Sequence, residues 1–162
     1  MNRQGNHPTN GCPLYSEFVL DFAALADLRL PSAHTVLLIA ADSRAVDTQI
    51  VSAAAEHLFA AGLTYVCVWG PDCERVHDIF DEVYVGDGTS EPEHSFMSTW
   101  HDHEPLDEAL WDLLYCAIPD DADRPSTSFV AVTIGSADWS ASVERALADP
   151  SAFASRVHAN EL

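Results

Sequence analysis

Unbroken apolar runs of strand length alternate along this chain with helix-length segments that carry an apolar stripe. Runs without polar alternation suit strands buried on both faces, and strands separated by helices predict a mostly parallel sheet. Of the 162 residues, 48% are hydrophobic and 20% charged, the composition of a globular chain. Together these observations predict an α/β fold: a three-layer Rossmann-like or flavodoxin-like domain of about five mostly parallel strands, with helices on both faces.

Each element has its own signal. Residues 1–13 hold no apolar run and read as a flexible arm, 14–150 as a single domain and 151–162 as a peripheral tail. Leu14 to Leu28 places Phe18, Phe22 and Leu25 at helical spacing and reads as a first helix. Thr35 to Ala41 is the first buried strand. Asp42 and Ser43 then give a helix start, with Val46, Ile50, Ala54 and Leu58 on one face and Gly62 as the stop. His57 shares that face and reads as a core histidine. Thr64 to Trp69 is the second strand. Cys73, Val76, His77 and Phe80 form the inner stripe of a short helix. Glu82 to Val85 reads as a short third strand ending at Gly86, Asp87 and Gly88, followed by an acidic loop over 89–94. Ser95 to Trp100 is the fourth strand. Pro105 opens a helix with Leu106, Leu110, Leu113 and Leu114 inward. A second acidic loop runs from Pro119 to Pro125. Ser128 to Ile134 is the fifth strand, and Ser136 leads into a last helix, with Trp139, Val143 and Leu147 inward, that Pro150 ends.

The charge is unevenly spread. The formal net charge is −19, and residues 72–124 hold 16 of the 26 Asp and Glu residues against only Arg75 and Arg124. All seven basic residues are arginine. A coding or habitat bias accounts for the missing lysine, but not for the clustering. An acidic block repels nucleic acid and anionic membrane and attracts a basic partner. Its exposed members are expected at Glu74, Asp78, Asp81, Asp107, Glu108, Asp112, Asp120, Asp121 and Asp123, with Trp100 or Tyr84 as an aromatic anchor. The opening residues carry no signal-peptide pattern, and no apolar run approaches the roughly 20 residues that span a bilayer. A cytoplasmic protein with four reduced cysteines is expected.

In parallel sheets, ligands bind beyond the carboxyl ends of the strands. That rule selects Asp42, Asp72, Asp87, the run His101 to Glu104, and Ser136 with Asp138. His101 and His103, two apart in an extended segment, would point the same way, as two ligands of one metal must. Asp102 or Glu104 could orient an imidazole or act as a base. The competing reading makes Asp102, His103 and Glu104 the cap of the helix that Pro105 opens. Cys67, Cys73 and His77 form a C-x5-C-x3-H set, and a zinc site from Cys73, His77, His101 and His103 competes with ordinary core roles for these residues. There is no G-x-G-x-x-G after the first strand, no phosphate-binding G-x-x-x-x-G-K-[ST] and no G-x-S-x-G elbow.

The stretch from Ser98 to Trp111, STWHDHEPLDEALW, resembles a group of small bacterial α/β proteins, with the likeness covering residues 64–118. The resemblance implies a bacterial cytosolic protein and brings no activity or site residue with it. The sequence therefore favours a non-enzymatic acidic binding protein, of inhibitor, immunity or accessory type, that docks a basic protein. It predicts no cofactor and leaves a divalent metal open. The alternative is a metal-dependent hydrolase or phosphatase-like enzyme, or a small-ligand sensor, built on Asp42, His101, Asp102 and His103.

Overall fold

The computed structural model describes residues 1–87, 95–118 and 126–160. Its centre is a six-stranded sheet in the order β1-β2-β6-β3-β4-β5. The strands are β1 (Asn2–Asn6), β2 (Pro13–Val19), β3 (His34–Ala40), β4 (Leu63–Trp69), β5 (Met97–His101) and β6 (Thr127–Ile134). Only β1 is antiparallel, pairing with β2; the other five strands run parallel. The helices are α1 (Thr48–Ala61), α2 (Cys73–Val85), α3 (Leu106–Trp111), α4 (Ala137–Ala148) and α5 (Pro150–Asn160). This is the three-layer Rossmann-like or flavodoxin-like α/β class that the alternating pattern predicts.

Strand alternation decides what faces each layer. Leu37, Ile39, Val66, Val68, Val130 and Val132 pack with α1 and α2. Val36, Leu38, Tyr65, Cys67, Phe129 and Ala131 point the other way, into α3, α4 and α5. All eight residues of β6 are buried, as a central parallel strand requires. The chain walks outward from β3 through β4 to β5, then returns to lay β6 on the other side of β3. Strand order therefore reverses between β3 and β6, and crevices open at the carboxyl ends of such sheets.

Five elements differ from expectation. Leu14 to Leu28 is not one helix: it is β2 followed by a 3-10 helix over Phe22–Asp27. In β2, Leu14 and Ser16 are buried while Tyr15 and Glu17 are half-exposed, the period of a strand. The 3-10 helix starts where the Asp21 carboxylate accepts from the Ala24 amide at 3.1 Å. The arm expected over residues 1–13 contributes β1, and His7 beyond it is buried. No strand forms over 82–85, because α2 continues to Val85 and closes on Gly86, whose φ is 58°. Helix α1 starts at Asp47, which accepts from the Gln49 amide at 2.8 Å, and not at Asp42. Pro150 ends α4 but opens α5, whose Phe153 and Val157 are buried, so the tail is part of the packed layer. The loops expected over 89–94 and 119–125, including Asp120, Asp121 and Asp123, lie outside the described residues, as does Gly88.

One local irregularity positions the site. After Trp111 the helix widens into a single π turn over Asp112–Cys116, closed by the Ala117 amide on the Asp112 carbonyl at 2.8 Å. Such turns insert a residue and re-aim the side chains around them. Among the described residues, no helix is long and apolar enough to cross a membrane.

Candidate functional site

The segments that leave the carboxyl ends of β3, β4, β5 and β6 enclose a cleft of about 960 Å³. Arg44 comes from the loop after β3; Trp69 ends β4, and Gly70, Pro71 and Asp72 follow it; His101 ends β5, and Asp102 to Glu104 follow it; Trp139 stands in the first turn of α4. The first turns of α2 add Glu74, Arg75 and Asp78. Gly70 has a φ of 111°, and a Cβ there would collide with the Ala41 carbonyl, so only glycine lets the chain turn this close to β3.

Two indoles wall the cleft. Trp69 and Trp139 meet edge to face with centroids 5.0 Å apart. The Trp69 Nε1–H donates to the Glu104 carbonyl at 2.8 Å, which ties the loop after β5 to the end of β4. Both lining arginines are already engaged. Arg44 grips Asp42 with two bonds, at 2.9 and 2.5 Å, and this pairing holds the Asp42 carboxyl below its ordinary range. Arg75 binds Asp72 at 2.6 Å and donates to the carbonyls of Ser43 and Val46 at 2.7 and 3.1 Å. The five carboxylates of Asp72, Glu74, Asp78, Asp102 and Glu104 therefore outnumber Arg44, Arg75 and His101 in the lining.

His101 joins this cleft to the core. Its Nδ1 lies 2.6 Å from Glu104 Oε2. A carboxylate only accepts, so Nδ1 carries the hydrogen. Its Nε2 is buried, 3.9 Å from Asp112 Oδ2, and Cys67 completes a compact group with these two residues. Asp112 Oδ2 accepts from Thr99 Oγ1 at 3.1 Å and from the Tyr65 hydroxyl at 3.3 Å. Burial opposes charge on His101, but Asp112, Cys67 and Glu104 outweigh it and raise the imidazole pKa to about 11. Burial keeps the Cys67 thiol protonated by pushing its pKa up.

The candidates named from sequence separate in space. His101 and His103 do not converge: His103 adopts a left-handed φ of 61°, which breaks the two-residue alternation, and its side chain is 92% exposed beside Asp102. Asp42 is held by Arg44 and is not a member of the group around His101. Cys73 faces the α1–α2 layer, the opposite side of the sheet from Cys67, so the two cysteines cannot share an ion. His77 lies under the β5 edge, bonded to Ser98 at 2.9 Å and Asp78 at 3.1 Å, with its ring 4.4 Å from Trp100. The set Cys73, His77, His101 and His103 is thus not one site.

The acidic surface also divides. Glu74 and Asp78 line the cleft. Asp81 accepts from Ser98 at 2.7 Å, and Trp100 is 45% exposed on β5. Asp107 pairs with Arg156 at 3.1 Å, and with Glu108 it belongs to α3, on the other face of the sheet. Asp112 is no surface acid: its side chain is 14% exposed because the π turn aims it at His101. Sequence reasoning missed Trp69, Arg75 and Trp139 in the cleft. Trp69, the last residue of β4, was open to the carboxyl-end rule; Trp139 read as core.

A family model described as Domain of unknown function (DUF7684) matches residues 18–150. The chain belongs to that family. No curated protein and no solved structure matches it. The DUF7684 match encloses every residue that lines the cleft, together with Cys67 and Asp112, and leaves out β1 and almost all of α5.

Proposed function

We propose that this chain is a binding module for a basic protein, and that the partner presents an arginine or lysine side chain to the cleft at the carboxyl end of the sheet. The observation that carries this reading is the charge of the cleft: of its five carboxylates, Asp72 is paired with Arg75 and Glu104 with His101, which leaves Glu74, Asp78 and Asp102 in excess, while Arg44 is held by Asp42. The indoles of Trp69 and Trp139 supply the flat faces over which a guanidinium is attracted. The same carboxylates oppose a phosphate backbone, so the reading excludes nucleic acid. Acid on the approaches to the cleft steers a basic partner and speeds its encounter.

An arginine-rich peptide titrated against the full chain, followed by tryptophan fluorescence, tests this. Binding is expected at low salt and is expected to weaken as salt rises. The Glu74→Lys, Asp78→Lys double variant lowers affinity by roughly tenfold or more. The Asp107→Asn, Glu108→Gln variant, on the other face, leaves it within about twofold. Equal affinity in both variants, or tighter binding of a glutamate-rich control peptide, overturns the reading.

A further inference from the structure

Beneath the cleft, three residues distant in sequence bring three kinds of donor together. Cys67 lies within β4, His101 ends β5 and Asp112 opens the π turn. One donor atom from each lies within 4.8 Å of the other two. A tetrahedral zinc with bonds of about 2.0–2.3 Å needs donors roughly 3.3–3.7 Å apart. The group is therefore within about an ångström of ligation geometry, which small side-chain rotations cover.

The surroundings of each donor fit that use. Among the described residues His101 Nε2 is buried without a hydrogen-bond partner, while Nδ1–H donates to Glu104 at 2.6 Å. An outer carboxylate that holds one ring nitrogen protonated directs the other nitrogen's lone pair at an ion. Asp112 is oriented in the same manner by the hydroxyls of Thr99 and Tyr65. Cys67 is fully buried, and the Ala109 carbonyl lies 3.9 Å from its Sγ, a long contact. A soft thiolate beside an imidazole and a carboxylate selects zinc-class ions over magnesium or calcium.

We infer that Cys67, His101 and Asp112 form a binding site for a zinc-class divalent cation, with Glu104 as the positioning residue behind His101. The Cys67 thiol proton leaves to solvent as the metal–sulfur bond forms, and any proton on His101 Nε2 leaves with it. Thiolate and carboxylate together then balance the double charge of the ion. Three protein ligands leave a fourth position for water or for a group entering from the cleft, which His101 also lines. The site stands independently of the basic-partner reading.

The purified full chain, stripped with chelator and titrated with Co²⁺, decides the matter. One equivalent binds and produces a near-ultraviolet thiolate-to-cobalt band, which Zn²⁺ then removes by displacement. Cys67→Ser abolishes the band. Because Cys67 is buried, that variant is read only if its circular dichroism matches the parent; Glu104→Gln, at a half-exposed carboxylate, decides otherwise. It keeps the fold and weakens Co²⁺ about tenfold. His103→Ala leaves binding unchanged. No thiolate band in the parent protein, parent-like affinity in Glu104→Gln, or loss of binding in His103→Ala overturns the site.

Discussion

His7 and His101 are two inward-facing histidines, both held against the α3 side of the sheet, and their charges move in opposite directions. His7 follows β1, is 2% exposed and lays its ring on Phe129 at 4.1 Å, with the Thr9 hydroxyl 3.1 Å from Nδ1. Burial dominates there and lowers the imidazole pKa from 6.5 to about 4. His101 ends β5, and burial opposes its charge too, but Asp112, Cys67 and Glu104 outweigh it. Removal from water does not by itself set the charge of an imidazole; the groups that replace water do. The amino-terminal hairpin thus carries a neutral, structural histidine, whereas the carboxyl end of β5 carries one surrounded by chemistry.

The largest test of this contrast removes a partner of His101. Asp112→Ala deletes the acceptor of the Tyr65 and Thr99 hydroxyls and the carboxylate behind Nε2. Unfolding in urea should show a loss of about 3 kcal/mol, since the part-buried imidazolium loses its inner carboxylate and the Tyr65 and Thr99 hydroxyls lose their acceptor. A loss below about 1 kcal/mol would mean that His101 is neutral, like His7.

The second test uses pH. The folded pKa of His7 lies below its unfolded value, so its contribution to stability is complete above pH 6.5 and is lost as pH falls toward 4. The expected loss over that window is on the order of 2–3 kcal/mol. His7→Phe keeps an aromatic ring against Phe129 and should flatten this part of the stability curve relative to the parent. Parallel curves for the two proteins would refute the neutral assignment. His101 has the opposite sign. Its pKa is raised, so its contribution is complete below pH 6.5 and fades only as pH climbs toward about 11.

The smallest effect separates the two partners of His101. Glu104→Gln removes the charge behind Nδ1 while its amide oxygen can still accept the hydrogen, and the Glu104 side chain is 49% exposed, so solvent already screens much of that charge. Thermal unfolding should reveal a loss of roughly 0.5–1 kcal/mol. A loss as large as that of Asp112→Ala would transfer the dominant role from the buried carboxylate to the exposed one.

Particular segments show what could be read in advance. β3, β4 and β6 are legible because a strand buried on both faces is apolar at every position. β2 was not, since Phe18, Phe22 and Leu25 fall at helical spacing by coincidence while pairing with β6 holds residues 14–19 extended. The short strand at 82–85 failed because β-branched residues there complete the last turn of α2. Within the site, the carboxyl-end rule found His101, Glu104 and Asp72. It could not find Asp112, which sits on the helical pattern as one more exposed acid until the π turn aims it inward.

By itself the sequence determined the layer architecture, the acidic character and the ends of the strands near which a site would lie, because these follow from local periodicity and composition. Only the tertiary structure decided that Cys67 and Cys73 face opposite layers, that His103 turns away from His101, and that Asp112 joins Cys67 and His101. Those facts depend on strand register, on one left-handed residue and on one widened helical turn. Each is settled by the packing of segments remote in sequence, which no local pattern encodes.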